Sequence, residues 1–275
     1  MKSSRLLAAV LEPRLFVRAF QRRSPFTSFI DKLAWDAVDR PHYGYCLHQA
    51  AVQARALGVG SITAIELGVA GGNGLVTLEE LAADVTGATG VGIEVIGFDA
   101  AGGMPAPVDY RDLPYVWQPG FFEMDVERLR ARLRSARLVL GDVRETVPRF
   151  VAAGGFSPIG FISFDLDYHS STAASFPLLD VQPELRLPRL FCYFDDVIGD
   201  DWELHSSFTG ELAAIAEYND GHQSRKLAPI NGLSHKRRIA ASWNDQVYVS
   251  HDFAHPLYER HVHPSLWKLD LAAAN

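Results

Sequence analysis

The sequence has little cysteine, no concentrated block of basic residues and no long apolar run. Of its 275 residues only 2 are cysteines, Cys46 and Cys192, which lie far apart in apolar surroundings. This usage is typical of buried thiols in a reducing compartment rather than of a disulfide framework, and we expect a cytoplasmic protein. A net charge of −7 without a basic face argues against a nucleic-acid partner.

The N-terminal apolar stretch is interrupted early, at Glu12 and Pro13. It is too short for the apolar region of a signal peptide or for a membrane span, so we expect no integral membrane segment. The arginines that follow leave two interpretations open. One is an amphipathic helix on a membrane surface, and the other is a plain capping helix or arm.

A short β-rich run, a turn and a helical stretch recur along the chain. After the first run, Leu75, Leu78 and Leu81 recur at helical spacing. Near-continuous apolar strands that alternate with helices indicate a parallel sheet covered on both faces. We therefore predict an α/β fold with a doubly wound, Rossmann-like sheet. The predicted strands span residues 62–69, 95–100, 136–142, 159–165 and 190–196.

Every one of these predicted strands ends in an acid. In doubly wound sheets the ligand lies beyond the carboxyl ends of the strands, where the strand order reverses. We therefore expect the acids to line one edge of the sheet. They are Glu66, Asp99, Asp142, Asp165 and the pair Asp195 and Asp196.

The first turn, ELGVAGGNG (66–74), is rich in glycine. Its glycines fit no frame of the dinucleotide fingerprint G-x-G-x-x-G and no Walker lysine follows, which argues against NAD and ATP. Asp99, at the end of the second strand, is able to accept hydrogen bonds from both ribose hydroxyls, or to cap a helix. The pattern that remains is an acid, a glycine, a small residue and a glycine, at Glu66, Gly68, Ala70 and Gly72.

This pattern resembles the first motif of the class I S-adenosylmethionine-dependent methyltransferases. Later stretches are similar to landmarks of the macrocin-type O-methyltransferases, which methylate sugars. The resemblance covers roughly residues 60–200, and it departs from the family at Ala100, Ala101, His169 and Val197. The landmarks, in the family's order, are DAAGGMP (99–105), LGDVRETVP (140–148), DLDYHSST (165–172) and YFDDV (193–197).

The resemblance implies an O-methyltransferase for a hydroxyl of a sugar or other polyhydroxylated small molecule, with S-adenosyl-L-methionine as cofactor. It also implies a final antiparallel strand, over 245–253. We expect a helical cap or arm over 1–55 and a cofactor-binding domain over 56–275 within one compact unit, with a homo-oligomer possible. The expected cofactor contacts are Glu66, Gly68, Ala70, Gly72 and Asp99, with Asp142 (or a helix cap) and Tyr43 (or a core aromatic).

The acids that end the fourth and fifth strands predict a metal site. Neighbouring strands bring these carboxylates together, where they would repel one another unless a divalent cation bound them. Ligation by oxygen alone suits Mg²⁺ or Ca²⁺ and argues against zinc, although some of these aspartates are also able to cap helices. The resemblance points to Asp165, Asp195 and Asp196 as Mg²⁺ ligands, with Asp167 beside them or on substrate hydroxyls.

His169 is the candidate general base, with Asp165 as the alternative. Asp200 and Asp201 are expected in a solvated loop. Three rival functions remain open. One is a metal-dependent glycosyltransferase that would use Asp165-Leu166-Asp167, another is a non-catalytic module of the same fold, and the third is an NAD oxidoreductase.

Overall fold

The structure, a computed structural model, describes residues 13–263. Its seven strands are β1 (Ser61–Leu67), β2 (Gly92–Asp99), β3 (Arg137–Leu140), β4 (Ile159–Phe164), β5 (Arg186–Phe194), β6 (Arg225–Pro229) and β7 (Val247–Asp252). Its helices are α1 (Pro13–Arg23), α2 (Phe29–Ala34), α3 (Pro41–Leu57), α4 (Asn73–Thr89), α5 (Val126–Arg130), α6 (Val143–Ala153), α7 (His169–Ser175), α8 (Gly210–Gly221) and α9 (Leu233–Lys236).

The strands form one sheet in the order β3-β2-β1-β4-β5-β7-β6. Neighbouring strands from β3 to β5 pair in parallel, whereas β7 pairs antiparallel with both β5 and β6. The predicted α/β doubly wound sheet with an antiparallel strand near the C-terminus is therefore confirmed. Strand β6 was not predicted, because RKLAP is short and carries two cations and a proline.

The apolar side chains of β1 alternate between the two faces of the sheet, and both faces are covered. Ile62 and Ala64 belong to one apolar cluster, which also contains the buried sides of α3 and α4. Ile65 and Leu67 belong to the other, which α6 and α8 complete. Because successive side chains of a strand point to opposite faces, a continuous apolar strand must be covered on both.

Helix α3 belongs to this core, since Leu47 and Ala50 are fully buried in the first cluster. The predicted boundary after residue 55 falls inside α3, and the division of the chain into a cap and a domain stays a prediction. The predicted absence of a signal peptide concerns residues 1–12, which lie outside the described residues. Across the described part, 13–263, we find no helix both long and apolar enough to cross a bilayer.

The strand order reverses between β1 and β4, because β2 and β3 lie on one side of β1 and β4 and β5 on the other. Ligand sites of doubly wound sheets lie at this point, outside the carboxyl ends of the strands. The segment between β2 and α5 folds back on itself near this edge. The backbone N–H of Met104 donates a 2.8 Å hydrogen bond to the carbonyl of Phe121, and the backbone N–H of Gly120 donates one of 2.9 Å to the carbonyl of Met104.

Both cysteines, Cys46 and Cys192, are buried free thiols.

Candidate active site

A cavity of about 460 Å³ lies along the carboxyl edge of the sheet. One end is bounded by the turn after β1 and the end of β2, and the other by the residues that follow β4 and β5. Five of the acids predicted to line this edge do line it, namely Asp99, Asp142, Asp165, Asp195 and Asp196. The sixth, Glu66, lies beneath the turn after β1.

The turn after β1 is held by Asp99. Its Oδ2 accepts hydrogen bonds from the backbone N–H groups of Val69 (2.9 Å) and Ala70 (2.8 Å), and its Oδ1 accepts one from Ala101 (2.6 Å). A carboxylate has about four acceptor positions, so one remains for a ligand in the cavity. Gly68 and Ala70 line the cavity, whereas Gly72 packs on Leu129 and ends the turn where α4 begins.

Glu66 and Tyr43 are not among the residues that line the cavity, and their contact with the cofactor stays a prediction. Tyr43 belongs to the apolar core, the alternative considered for it. Tyr43 is fully buried and donates a hydrogen bond of 2.8 Å from its hydroxyl to Glu66 Oε1. The same hydroxyl accepts hydrogen bonds from Ser163 Oγ (3.0 Å) and Arg40 Nη1 (3.2 Å). Glu66 Oε2 is buried without a partner. Burial raises the pKa of Glu66 to about 7.

This raised pKa gives a stability prediction for Glu66→Gln. The folded chain holds the Glu66 proton up to a pKa of about 7, against an ordinary 4.5. Ionisation therefore opposes folding, and its cost is absent below the ordinary pKa and grows as the pH rises through the folded value. We expect the variant to be more stable than the wild type by on the order of 3 kcal/mol near pH 8 and equal to it near pH 4.

Urea unfolding of both proteins over this pH range measures the difference. Glu80→Gln is the matched control, because Glu80 is an exposed acid on α4. A stability difference between Glu66→Gln and the wild type that stays constant with pH would contradict the prediction.

Asp165, Asp195 and Asp196 form a cluster that we call the acid cluster. One carboxylate oxygen from each lies within 4.8 Å of the others. Asp195 Oδ1 accepts a 2.7 Å hydrogen bond from the Tyr193 hydroxyl, and Asp196 Oδ2 accepts one of 2.8 Å from the backbone N–H of Asp167. Within residues 13–263, no lysine or arginine forms an ion pair with any of the three.

Without a bound cation, burial and mutual repulsion disfavour the ionised carboxylates of the acid cluster. Burial, followed by the nearby carboxylates, raises the pKa values of Asp165 and Asp196 well above the ordinary range. Burial also raises the pKa of Asp167 to about 7, with Glu203 and Asp195 adding to it. The acid cluster offers three hard oxygen donors, and none of them has an ion-pair partner among the described residues. Mg²⁺ prefers such donors, so the residues present fit this ion.

Asp142 lines the cavity and also caps α6. Its Oδ1 accepts a 2.8 Å hydrogen bond from the backbone N–H of Arg144, and hydrogen bonds from the Arg144 side chain lower the pKa of Asp142. Both roles considered for this residue are thus compatible with its position. Asp200 and Asp201 are both exposed in the loop after β5, as predicted, and Asp200 also lines the cavity.

His169, the predicted general base, lies outside the lining of the cavity. It is the first residue of α7, is buried, and does not line the cavity. Its Nε2 lies 2.8 Å from Glu217 Oε2 and 3.4 Å from Arg111 Nη1. The imidazole therefore joins α7 to α8, and the role of general base stays a prediction. Asp165, the alternative, lines the cavity.

For the methyl transfer proposed below, we expect His169→Ala to leave the pH–rate profile unchanged. The loss of the contact with Glu217 should lower the melting temperature, whereas the rate should stay within about threefold of the wild type. The measurement is transfer of labelled methyl groups from S-adenosylmethionine to a panel of catechols and nucleotide sugars. A changed pH–rate profile in the variant would support His169 as the base.

Several residues at the site were not predicted from the sequence. Trp117 and Phe122, from the segment before α5, line the cavity, as does Glu203. The Glu203 Oε2 accepts hydrogen bonds from the backbone N–H of Asp200 (3.1 Å) and from His205 Nε2 (2.9 Å). These residues belong to irregular loops, whose sequences show neither the periodicity of a helix or strand nor a motif of fixed spacing. The sequence therefore gave no signal for them.

The ligand cavity, the glycine-rich turn and the acid-ended strands all lie at the reversal point of a sheet in which only β7 is antiparallel. The chain has the class I methyltransferase fold.

The sequence matches no protein-family model. It also matches no curated protein. Among solved structures, it is similar to CalS11, a calicheamicin methyltransferase, with 24% identity over 81% of this chain and 88% of that chain, and a TM-score of 0.48. Cofactor-bound Rv0187 from MTB is 16% identical over 91% and 96% of the two chains, with a TM-score of 0.44. The MycE methyltransferase of mycinamycin biosynthesis, in complex with Mg, SAH and mycinamycin VI, is 13% identical over 85% and 53%, with a TM-score of 0.41.

Proposed function

We propose that the protein is an S-adenosylmethionine-dependent O-methyltransferase, assisted by Mg²⁺, that methylates a hydroxyl of a sugar or other polyhydroxylated small molecule. One observation carries this proposal. A single cavity joins the glycine-rich turn and Asp99 at one end to the acid cluster at the other. A nucleoside cofactor and a hydroxylated acceptor bound at these two ends would meet in the middle.

The first end suits a nucleoside. Asp99 keeps an acceptor position for ribose hydroxyls while its other positions hold the turn. Met104 and Pro105 add apolar lining for a base, and Asp142 lies beside it. The cofactor supplies the activated methyl group, and the residues of the chain orient it.

The second end suits a hydroxylated acceptor. We propose that Asp165, Asp195 and Asp196 would hold Mg²⁺, which would lower the pKa of an acceptor hydroxyl bound to it. Asp167 lies next to the acid cluster and lines the cavity. With His169 turned away, we propose that the Asp167 carboxylate binds the acceptor hydroxyl and accepts its proton. Trp117 and Phe122 exclude water from this end and pack on the apolar side of the acceptor.

The test is calorimetry of the full chain with S-adenosylhomocysteine, with and without MgCl₂, alongside a UDP-sugar and NAD. We expect binding of the homocysteine product and no binding of NAD. Binding of the UDP-sugar without any affinity for S-adenosylhomocysteine would replace this proposal with the glycosyltransferase. Binding of S-adenosylhomocysteine without methyl transfer to any member of the acceptor panel would favour the non-catalytic module.

We also propose that the protein acts in the cytoplasm. The two free thiols, Cys46 and Cys192, support this, because burial raises both of their pKa values and keeps them as unreactive thiols.

A further inference from the structure

Helix α1 contacts the rest of the protein through its charged face and leaves its apolar face exposed. Arg18 Nε donates a 2.7 Å hydrogen bond to the backbone carbonyl of Asp36. Phe16 and Phe20, four residues apart on one face of the helix, are 64% and 62% exposed. No residue of α1 is buried. A helix that only covers a core has the reverse orientation, because its apolar face packs on the protein.

The exposed apolar residues continue beyond α1. Phe26, in the turn after the helix, is 96% exposed, and Ile30 of α2 is exposed as well. Helices α1 and α2 pack against each other, which keeps these residues in one region of the surface. Several large apolar side chains exposed in one region mark an interaction surface. We call them the N-terminal apolar residues, and they are Leu15, Phe16, Phe20, Phe26 and Ile30.

Cations are concentrated in the same segment. Residues 13–32 include a single acid, Asp31, although the whole chain has a net charge of −7. Arg14 and Arg23 are exposed, and among residues 13–263 no acid lies within 4.0 Å of either guanidinium. Both charges are therefore available to an anionic partner. The five cations of the segment are Arg14, Arg18, Arg22, Arg23 and Lys32.

This combination selects between the two partners that an exposed apolar surface admits. Two copies of the chain that met through this segment would bring two groups of arginines together, and like charges at an interface oppose association. An anionic bilayer attracts the arginines and takes up the phenylalanines at the level of its headgroups. The acidic remainder of the protein is repelled by such a surface, which turns the N-terminal segment toward it.

We propose that α1 and the beginning of α2 bind the surface of an anionic membrane. The helix lies in the plane of the headgroups, with Phe16 and Phe20 inserted and Arg14 and Arg23 beside lipid phosphates. The face that carries Arg18 stays on the protein. This inference is independent of the proposed function, because none of these residues lines the cavity.

The test is co-sedimentation of the full chain with vesicles of phosphatidylcholine alone and of phosphatidylcholine mixed equally with phosphatidylglycerol. We expect the protein to bind the mixed vesicles, and added salt to weaken the binding by screening the arginines. Phe16→Ser combined with Phe20→Ser should lower the affinity for mixed vesicles by at least about 10-fold. Arg14→Gln combined with Arg23→Gln should lower it by about 10-fold and leave the weaker affinity for phosphatidylcholine alone unchanged.

Phe208→Ser is the matched control, because Phe208 is 76% exposed and lies in the segment between β5 and α8. It should bind mixed vesicles as the wild type does. The residues replaced in α1 are exposed, so those variants should keep the melting temperature of the wild type. If the phenylalanine variant fails to fold, the arginine variant and the two kinds of vesicle keep the test.

Three results would overturn the inference. One is a wild-type protein that stays in the supernatant with mixed vesicles, and another is equal binding of the wild type and the phenylalanine variant. The third comes from light scattering without lipid. A wild-type dimer that becomes a monomer in the phenylalanine variant would assign the N-terminal apolar residues to a second copy of the chain. Affinity for S-adenosylhomocysteine, measured separately, tests the proposed function and leaves this inference unaffected.

Discussion

Replacing Asp195 with alanine should abolish Mg²⁺ binding while leaving the fold and the cofactor end of the cavity intact. The Asp195 side chain accepts one hydrogen bond within the described residues, from the Tyr193 hydroxyl. Asp196, by contrast, also holds the backbone N–H of Asp167. Removal of the Asp195 side chain therefore leaves no backbone N–H group without its partner, whereas removal of Asp196 does.

The electrostatics of the cluster give the sign of the stability change. Burial and then the Asp195 charge raise the pKa of Asp165, so removal of Asp195 relieves a repulsion in the metal-free protein. We expect metal-free Asp195→Ala to be at least as stable as the metal-free wild type. Mg²⁺ should raise the melting temperature of the wild type alone, because the proposed site exists only in the folded state.

The expected loss of Mg²⁺ affinity is about 100-fold or more, since even residues that only orient metal ligands contribute 10- to 100-fold. Methyl transfer should fall with it, whereas affinity for S-adenosylhomocysteine without metal should change by less than about twofold. Titration with MgCl₂ by calorimetry and melting curves with and without Mg²⁺ measure these effects.

Asp201→Ala is the matched control, because Asp201 is an exposed acid close in sequence that does not line the cavity. It should leave Mg²⁺ affinity and melting temperature unchanged. An equal Mg²⁺-induced rise of the melting temperature in Asp195→Ala and the wild type would remove the acid cluster from the proposed mechanism.

The acid cluster was the part of the site most accessible to sequence reasoning. Parallel strands bring their carboxyl ends to one edge, so acids that directly follow buried strands must gather there. Asp165 and Asp195 lie immediately after β4 and β5, which are neighbours in the sheet. Topology alone thus predicted their proximity, and no knowledge of side-chain packing was needed.

The roles of His169 and Tyr43 were not predictable in the same way. His169 lies only four residues beyond Asp165 in sequence, but it begins a helix, and the direction of that helix turns its ring toward Glu217. Tyr43 belongs to α3, whose packing against the sheet places the hydroxyl on Glu66 from behind. Both outcomes depend on how a helix is rotated against its neighbours, which local sequence does not encode.

The path of the segment between β2 and α5 was not predictable from the sequence for a different reason. Asp112 accepts a local hydrogen bond from the backbone N–H of Val108 (2.7 Å) and a long-range one from the backbone N–H of Ser170 (2.8 Å). The Tyr168 hydroxyl bonds the carbonyl of Pro105 at 3.3 Å. Tyr168 and Ser170, which follow Asp165, therefore help to fix this segment over the cavity.

Replacing Gly68 with alanine should disrupt both ends of the cavity at once. Gly68 has a φ of +82°, and an added Cβ would lie 1.7 Å from the backbone oxygen of Asp165. That atom belongs to the backbone, so no side-chain rotation relieves the overlap, and either the turn or the first residue of the acid cluster must move. We expect the unfolding free energy to fall by roughly 3–5 kcal/mol and affinity for S-adenosylhomocysteine to fall by at least ~100-fold.

Gly71 provides the internal control for this prediction, because it belongs to the same turn and differs in the property that matters. A Cβ on Gly71 would meet nothing within 4 Å, its φ is not in the left-handed region, and it is exposed. Gly71→Ala should keep wild-type affinity and gain about 0.4–1 kcal/mol of stability from a less flexible unfolded chain. Thermal melts and titration with S-adenosylhomocysteine compare the two variants. If they behaved alike, the close approach of the turn to Asp165 would be refuted, and with it the single cavity on which the proposed function depends.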